Sequence, residues 1–132
     1  FWMSRGGAFL TAGTSLPKRL LNPKGKILIF TLDTSKNEIP TFKLMKNKLN
    51  KSLNRDKKIL KIITDLYPQR IKKRFIFNVK IDKEKYLDMI KKRYISTLIP
   101  LSKDQLTEGI QEIELKYRKV LRFKDKLICI IL

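Results

Sequence analysis

The stretch Lys26-Ile27-Leu28-Ile29-Phe30-Thr31-Leu32 decides how this chain folds. The turn Asn22-Pro23-Lys24-Gly25 leads into it, and Asp33-Thr34-Ser35 closes it. A short apolar run bounded by turn signals reads as a strand covered on both faces, the kind found in parallel sheets. Upstream, residues 1–19 are small and irregular, with a helix expected through Leu10–Leu21.

Downstream the period changes. Phe42, Met45, Leu49, Leu53, Leu60 and Ile63 recur at helical spacing between Pro40 and Pro68, while lysines occupy the other faces. That pattern predicts one long amphipathic helix. Arg74–Ile81 alternates, with Phe75, Phe77, Val79 and Ile81 on one side, and reads as a strand. Leu87, Ile90, Tyr94 and Leu98 predict a second helix. Ser102-Lys103-Asp104-Gln105 has the form of a capping box, opening a third helix with Leu106, Ile110, Ile113 and Tyr117 inward. Val120–Phe123 leads through Lys124-Asp125-Lys126 into Leu127–Leu132, a final buried strand. The expected order is strand, helix, strand, helix, helix, strand, an α/β layered sheet. Three strands make a thin core, and the first is shaped for more neighbours than these segments provide.

Composition narrows the chemistry. The 132 residues are 42% hydrophobic and 33% charged, a balance that fits one globular domain. There is no His and one Cys, which excludes His-dependent triads, zinc sites and disulfides within the chain. No metal site is expected. No signal-peptide pattern opens the chain, and no apolar run approaches the ~20 residues that span a bilayer. With a lone cysteine, the expected compartment is the cytoplasm. Cys129 reads as a small buried hydrophobe rather than a nucleophile.

Lys and Arg number 31 against 12 Asp and Glu, for a net charge of +19. Only eight of the 31 are Arg, and Ile and Asn are plentiful while Ala is scarce. Lys, Ile and Asn share AT-rich codons, so codon bias is expected to contribute to the charge. The charge is also regional: residues 41–66 and 68–93 are strongly basic, whereas 102–118 are close to neutral. Lys72-Lys73-Arg74-Phe75 and Lys91-Lys92-Arg93-Tyr94 set cations beside aromatics, as single-stranded nucleic acid favours. The plainer reading is a solvated lysine-rich surface.

Arg19-Leu20-Leu21-Asn22-Pro23-Lys24-Gly25-Lys26-Ile27-Leu28-Ile29 resembles the R-x-L-x-P-x-G-x-L-x-I stretch of class I S-adenosylmethionine-dependent methyltransferases. There it is the turn entering the fifth strand of a Rossmann-like sheet. Phe1–Arg5 is similar to the segment after the fourth strand, which lines the cleft. Tyr86–Ile90 and Arg93–Leu98 resemble the helix that roofs the substrate pocket of small-molecule members. Leu121–Ile128 resembles the closing antiparallel strand. The resemblance covers the carboxyl-terminal half of that domain. No Gly-rich loop follows a first strand, and no acidic residue ends a second one for the ribose hydroxyls. Gly6-Gly7 follows no strand.

The resemblance implies one partial domain over 1–132, with 1–25 a cleft-lining segment and turn and 26–132 strands with covering helices. It implies S-adenosylmethionine as cofactor, a small-molecule methyl acceptor, and no membrane partner. Phe1, Trp2 and Met3 would touch the cofactor; Arg5, Thr34, Arg93 and Ser96 would face the substrate. Asp33 would orient an acceptor hydroxyl or amine, or act as general base. Its plainer role is a turn residue or helix cap; core packing reads as well as ligand contact for Trp2, and better for Tyr94, which fits the apolar stripe. The piece alone is expected to be inactive. From a different class comes a basic RNA-binding or ribosome-associated protein.

Overall fold

The computed structural model describes residues 23–35 and 37–132. Its elements follow the expected order: β1 (Leu28–Leu32), α1 (Lys43–Leu66), β2 (Ile71–Asp82), α2 (Lys83–Lys91), a 3-10 turn at Ser96–Leu98, α3 (Lys103–Lys116) and β3 (Val120–Ile131). The sheet order is β1-β3-β2, and β3 is antiparallel to both neighbours. β1 and β2 therefore run parallel to each other, joined by α1, with the last strand between them. Among the described residues, no helix is long and apolar enough to cross a membrane.

The second helix is shorter than its spacing predicts, ending at Lys91 and leaving Tyr94 beyond it and Leu98 in the 3-10 turn. Two strands also depart from the expectation. The last is not Leu127–Leu132 alone but a twelve-residue strand that runs straight through Lys124-Asp125-Lys126. Each of its residues pairs with one on β2, from Ile71↔Ile131 to Asp82↔Val120. The ladder overrides the low strand propensity of that charged triplet. β1 is likewise not a parallel strand covered on both faces. Its described neighbour is antiparallel β3, and Leu28 and Phe30 stand exposed while Thr31 is buried. Ile27 and Leu132 exchange two further backbone bonds, extending that pairing by one residue.

The register defines two faces. The phenylalanine face carries Leu28, Phe30 and Leu32 of β1 and the odd-numbered residues of β2 and β3; the isoleucine face carries Ile29, Thr31 and the even-numbered ones. Each face is half covered. The latter half of α1 lays Ile59, Leu60, Ile63 and Tyr67 over Ile29, Ile128 and Ile130, on the isoleucine face where the sheet is three strands wide. The first half of α1 joins α2 and α3 over Ile81, Leu121 and Phe123, on the phenylalanine face where β2 and β3 continue alone. Met45, Ile90, Leu98 and Ile113 are fully buried there, and each such side chain contributes ~1.5–3 kcal/mol. The uncovered halves differ in character. One presents Leu28, Phe30, Ile71, Phe75 and Phe77, with Phe77 50% exposed and its ring stacked beside that of Phe75. The other presents Ile76, Asn78, Lys80, Arg122 and Lys124.

Helix ends are held by their surroundings. The capping box at Ser102 and Gln105 forms as its sequence predicts, with both reciprocal bonds present. α1 starts at Phe42 without a side-chain cap of its own. Instead Lys43 N donates to Glu112 of α3 at 2.9 Å, placing a carboxylate at the positive end of α1. α3 docks at the same point through Gly109. A Cβ there would sit 2.5 Å from the Phe42 ring. Gly109→Ala should thus lower stability by about 1–2 kcal/mol in urea unfolding, its overpacking outweighing the gain in helix propensity. The loss should shrink in a Phe42→Leu background; a stabilised Gly109→Ala would contradict this packing.

Candidate functional site

The carboxyl end of β1 is where an open α/β sheet places ligands, and there the chain puts a buried carboxylate. Asp33 is 6% exposed. Its backbone N–H donates to Lys126 O at 2.8 Å, so the residue still rides on β3. Oδ1 accepts from Ser35 N at 2.9 Å and from Ser35 Oγ at 2.6 Å, an Asx turn that reverses the chain after the strand. Oδ2 lies 3.7 Å from Arg74 Nε, on the far strand of the sheet. Asp33 is thus the turn residue its sequence context suggests, and also one half of an ion pair across β3.

Burial opposes its charge, but the Ser35 bonds and the nearby Arg74 and Lys72 outweigh it and hold the carboxyl below its ordinary 3.8. A carboxylate so stabilised is a weak base. Of the two roles open to Asp33, orienting a donor fits this environment and proton abstraction does not. Thr34 lies half-buried beside it.

The following loop is fixed in the same manner. Asn37 Oδ1 accepts from Ile39 N at 2.8 Å. Glu38 accepts from Lys124 N and from Lys126 Nζ, both at 3.2 Å, and its carboxyl is held below its usual range, chiefly by the Lys124 bond. These contacts carry the chain along the β3 edge toward α1.

Arg93 is occupied elsewhere. It ends α2 in the left-handed region at φ 54°, with Tyr94 N donating to Met89 O and Arg93 N to Ile90 O. A non-glycine residue in that position costs about 1–2 kcal/mol. Its guanidinium compensates by donating to Leu98 O, Ile99 O and Leu101 O at 2.6, 3.2 and 2.6 Å. Arg93 is therefore the strut of the turn between α2 and α3. Ser96 begins the 3-10 turn within that strut's span and is half-buried. Tyr94 packs against the core, its hydroxyl 3.1 Å from that of Tyr86. Cys129 is buried, and burial pushes its thiol up, as befits an inert core residue. Phe1, Trp2, Met3 and Arg5 lie outside the described residues.

Local sequence did not mark Glu38, and it marked Ser35 only as part of the turn and Arg74 only as part of a basic run, not as partners of Asp33. Arg74 reaches Asp33 only because both strands register on β3, information carried by residues more than forty positions away. The alternation of β2 placed Arg74 opposite Phe75 and Phe77, but not over which strand. The other buried carboxylate among the described residues, Asp56, sits on the inner side of α1. Burial raises it despite Arg55 at 3.2 Å, and no second donor or acceptor among the described residues converges on it. Nor does any group of three His, Cys, Asp or Glu among the described residues form a metal site.

The lowered pKa of Asp33 sets a pH dependence. A carboxyl depressed in the folded state adds stability above its unfolded pKa, and loses it as pH falls through the folded value. Asp33→Asn should cost on the order of 1 kcal/mol at pH 7, since a charge-assisted bond weakens while the Asx turn survives. In urea unfolding the gap from wild type should close below pH 3.8. A gap that stays constant from pH 7 to pH 3 would show that the charge contributes nothing.

No family model matches this chain, and no curated protein and no solved structure matches it.

Proposed function

We propose that this chain is the carboxyl-terminal half of a class I methyltransferase domain that passes a methyl group from S-adenosylmethionine to a small molecule. The observation that carries the reading is topological. Two parallel strands joined by a helix flank a last strand that turns antiparallel between them, in keeping with the closing strand the sequence resemblance implies. The exposed Leu28, Phe30, Ile71, Phe75 and Phe77 add weight, as does the edge of β1 away from β3. A sheet that continued past β1 would use that edge, and the rest of a larger domain would bury those side chains.

The described residues do not by themselves fit the cofactor. Asp33-Thr34-Ser35 after β1 is not Gly-rich, and Asp33 is already bonded to Ser35 and paired with Arg74. The cofactor would be held by an upstream half. What this half contributes is Asp33 at the strand end, a fixed acceptor for the hydroxyl or amine to be methylated. Alignment of that nucleophile is the main catalytic requirement of a direct displacement. Arg93 serves the fold through its three carbonyl bonds, and the reading asks nothing more of it.

Calorimetry tests this. The 132-residue chain should show no saturable binding of S-adenosylmethionine. The chain joined to in-frame upstream sequence encoding a Gly-rich strand–loop–helix should bind it. In that longer protein Asp33→Ala should cut kcat at least tenfold and leave cofactor affinity within about twofold, the expected signature of a positioning contact. Saturable binding by the 132 residues alone, or upstream sequence without such an element, would end the reading.

A further inference from the structure

The uncovered end of the isoleucine face is strongly cationic. Cross-strand register puts Ile76 beside Lys126, Asn78 beside Lys124, and Lys80 beside Arg122, all on one side of the two-stranded part of the sheet. Arg74 and Lys72 continue the row along β2 toward α1. Alternate residues on a strand lie ~6.8 Å apart and neighbouring strands ~4.8 Å, so six cations form two rails on a narrow ribbon. Lys80, Arg122 and Lys124 are exposed, and Ile76 between them is 62% exposed.

Folding gives no reason for this arrangement. Like charges directly opposite on adjacent strands are destabilising, yet Lys80 and Arg122 face each other. The acidic groups near the rails sit at their margins. Asp33 answers Arg74, and Glu38 answers Lys126 and, at longer range, Lys124; Asp82 lies at the far end, opposite Val120. Neither Lys80 nor Arg122 takes part in an ion pair among the described residues. By contrast α3 mixes its charges, with Asp104, Glu108, Glu112 and Glu114 among its lysines.

We propose that this ribbon binds single-stranded nucleic acid, its phosphates running along Arg122, Lys124 and Lys126 with Lys80 beside the end of that row, and its bases lying over Ile76 and Asn78. A strand pair matches one extended polynucleotide in width, whereas a duplex would overhang it on both sides. Ile76 offers an apolar surface to a base, and the Asn78 amide both donates to and accepts from a base edge. A membrane surface would call for several apolar side chains, and the ribbon has one. The inference stands apart from the methyl-transfer reading, since it uses neither Asp33 nor any cofactor.

The test is fluorescence anisotropy of the 132-residue chain with a labelled twelve-nucleotide oligouridylate between 50 and 200 mM salt. Lys80→Gln, Arg122→Gln and Lys124→Gln together should weaken binding at least tenfold at 100 mM salt. They should also flatten the salt slope by ~2, since each phosphate contact on a single strand adds ~0.7. Relief of the like-charge pair should leave the thermal midpoint of this variant equal or higher. Lys46→Gln, Lys51→Gln and Lys57→Gln on exposed positions of α1 remove the same charge and should change affinity less than twofold. Equal weakening by both triple variants would reduce the effect to bulk charge and overturn the proposal. So would no saturable binding at 50 mM salt, or stronger binding to phosphatidylserine vesicles with the same dependence on Lys80, Arg122 and Lys124.

Discussion

Every part of the fold depends on β3 being paired along both edges. β1 and β2 run parallel and do not touch each other; each is part of the sheet only through the last strand. The pairings join residues 28–32 to 127–131, about a hundred positions apart, and 71–82 to 120–131. Closing such loops costs entropy that grows only with the logarithm of their length, but it precedes any return from side-chain burial. Asp33, the loop through Glu38 and the basic rails all take their positions from this one strand. Lys126 alone meets three of them, through its carbonyl to Asp33, its ammonium to Glu38 and its place beside Ile76.

The second organising feature is how the helices share the sheet. α1 covers the isoleucine face where three strands lie side by side, while its first half joins α2 and α3 over the opposite face where only β2 and β3 continue. Two quarters of the sheet are left open, one apolar and one cationic. Their chemistry differs because their sequences differ. Leu28, Phe30, Ile71, Phe75 and Phe77 suit burial against more protein. Lys80, Arg122 and Lys124 resist burial by any apolar surface and suit a polyanion. The proposed functions follow this division, domain completion on one face and nucleic acid on the other.

Much of this was legible in the chain. The helical spacing from Met45 to Ile63, the alternation of β2 and the capping box at Ser102 are local patterns, and local patterns survive folding. The burial of Cys129 was also visible, because its neighbours Ile128 and Ile130 announce a buried strand. What could not be read was long-range. Lys124-Asp125-Lys126 looks like a break and is mid-strand, because β2 supplies a partner for every residue. Ile27–Leu32 looks buried on both sides, yet Leu28 and Phe30 stand exposed and its described partner is antiparallel. Arg93 resembled a ligand by its place in a motif, whereas its guanidinium holds three carbonyls whose positions only the folded turn defines. The Asp33–Arg74 pair needed the register of both outer strands on β3.

Amide hydrogen exchange on the 132-residue chain, resolved by residue, tests the central role of β3 most directly. Where β1 and β2 both flank β3, from Leu127 to Ile131, every amide of β3 is bonded to one neighbour or the other, whereas an edge strand leaves every second amide free. The account predicts that Leu127–Ile130 exchange slowest and without alternation, while β1 alternates between protected and fast-exchanging amides. Alternating protection within Leu127–Ile130, or uniform protection along β1, would mean that β3 does not lie between the other two strands.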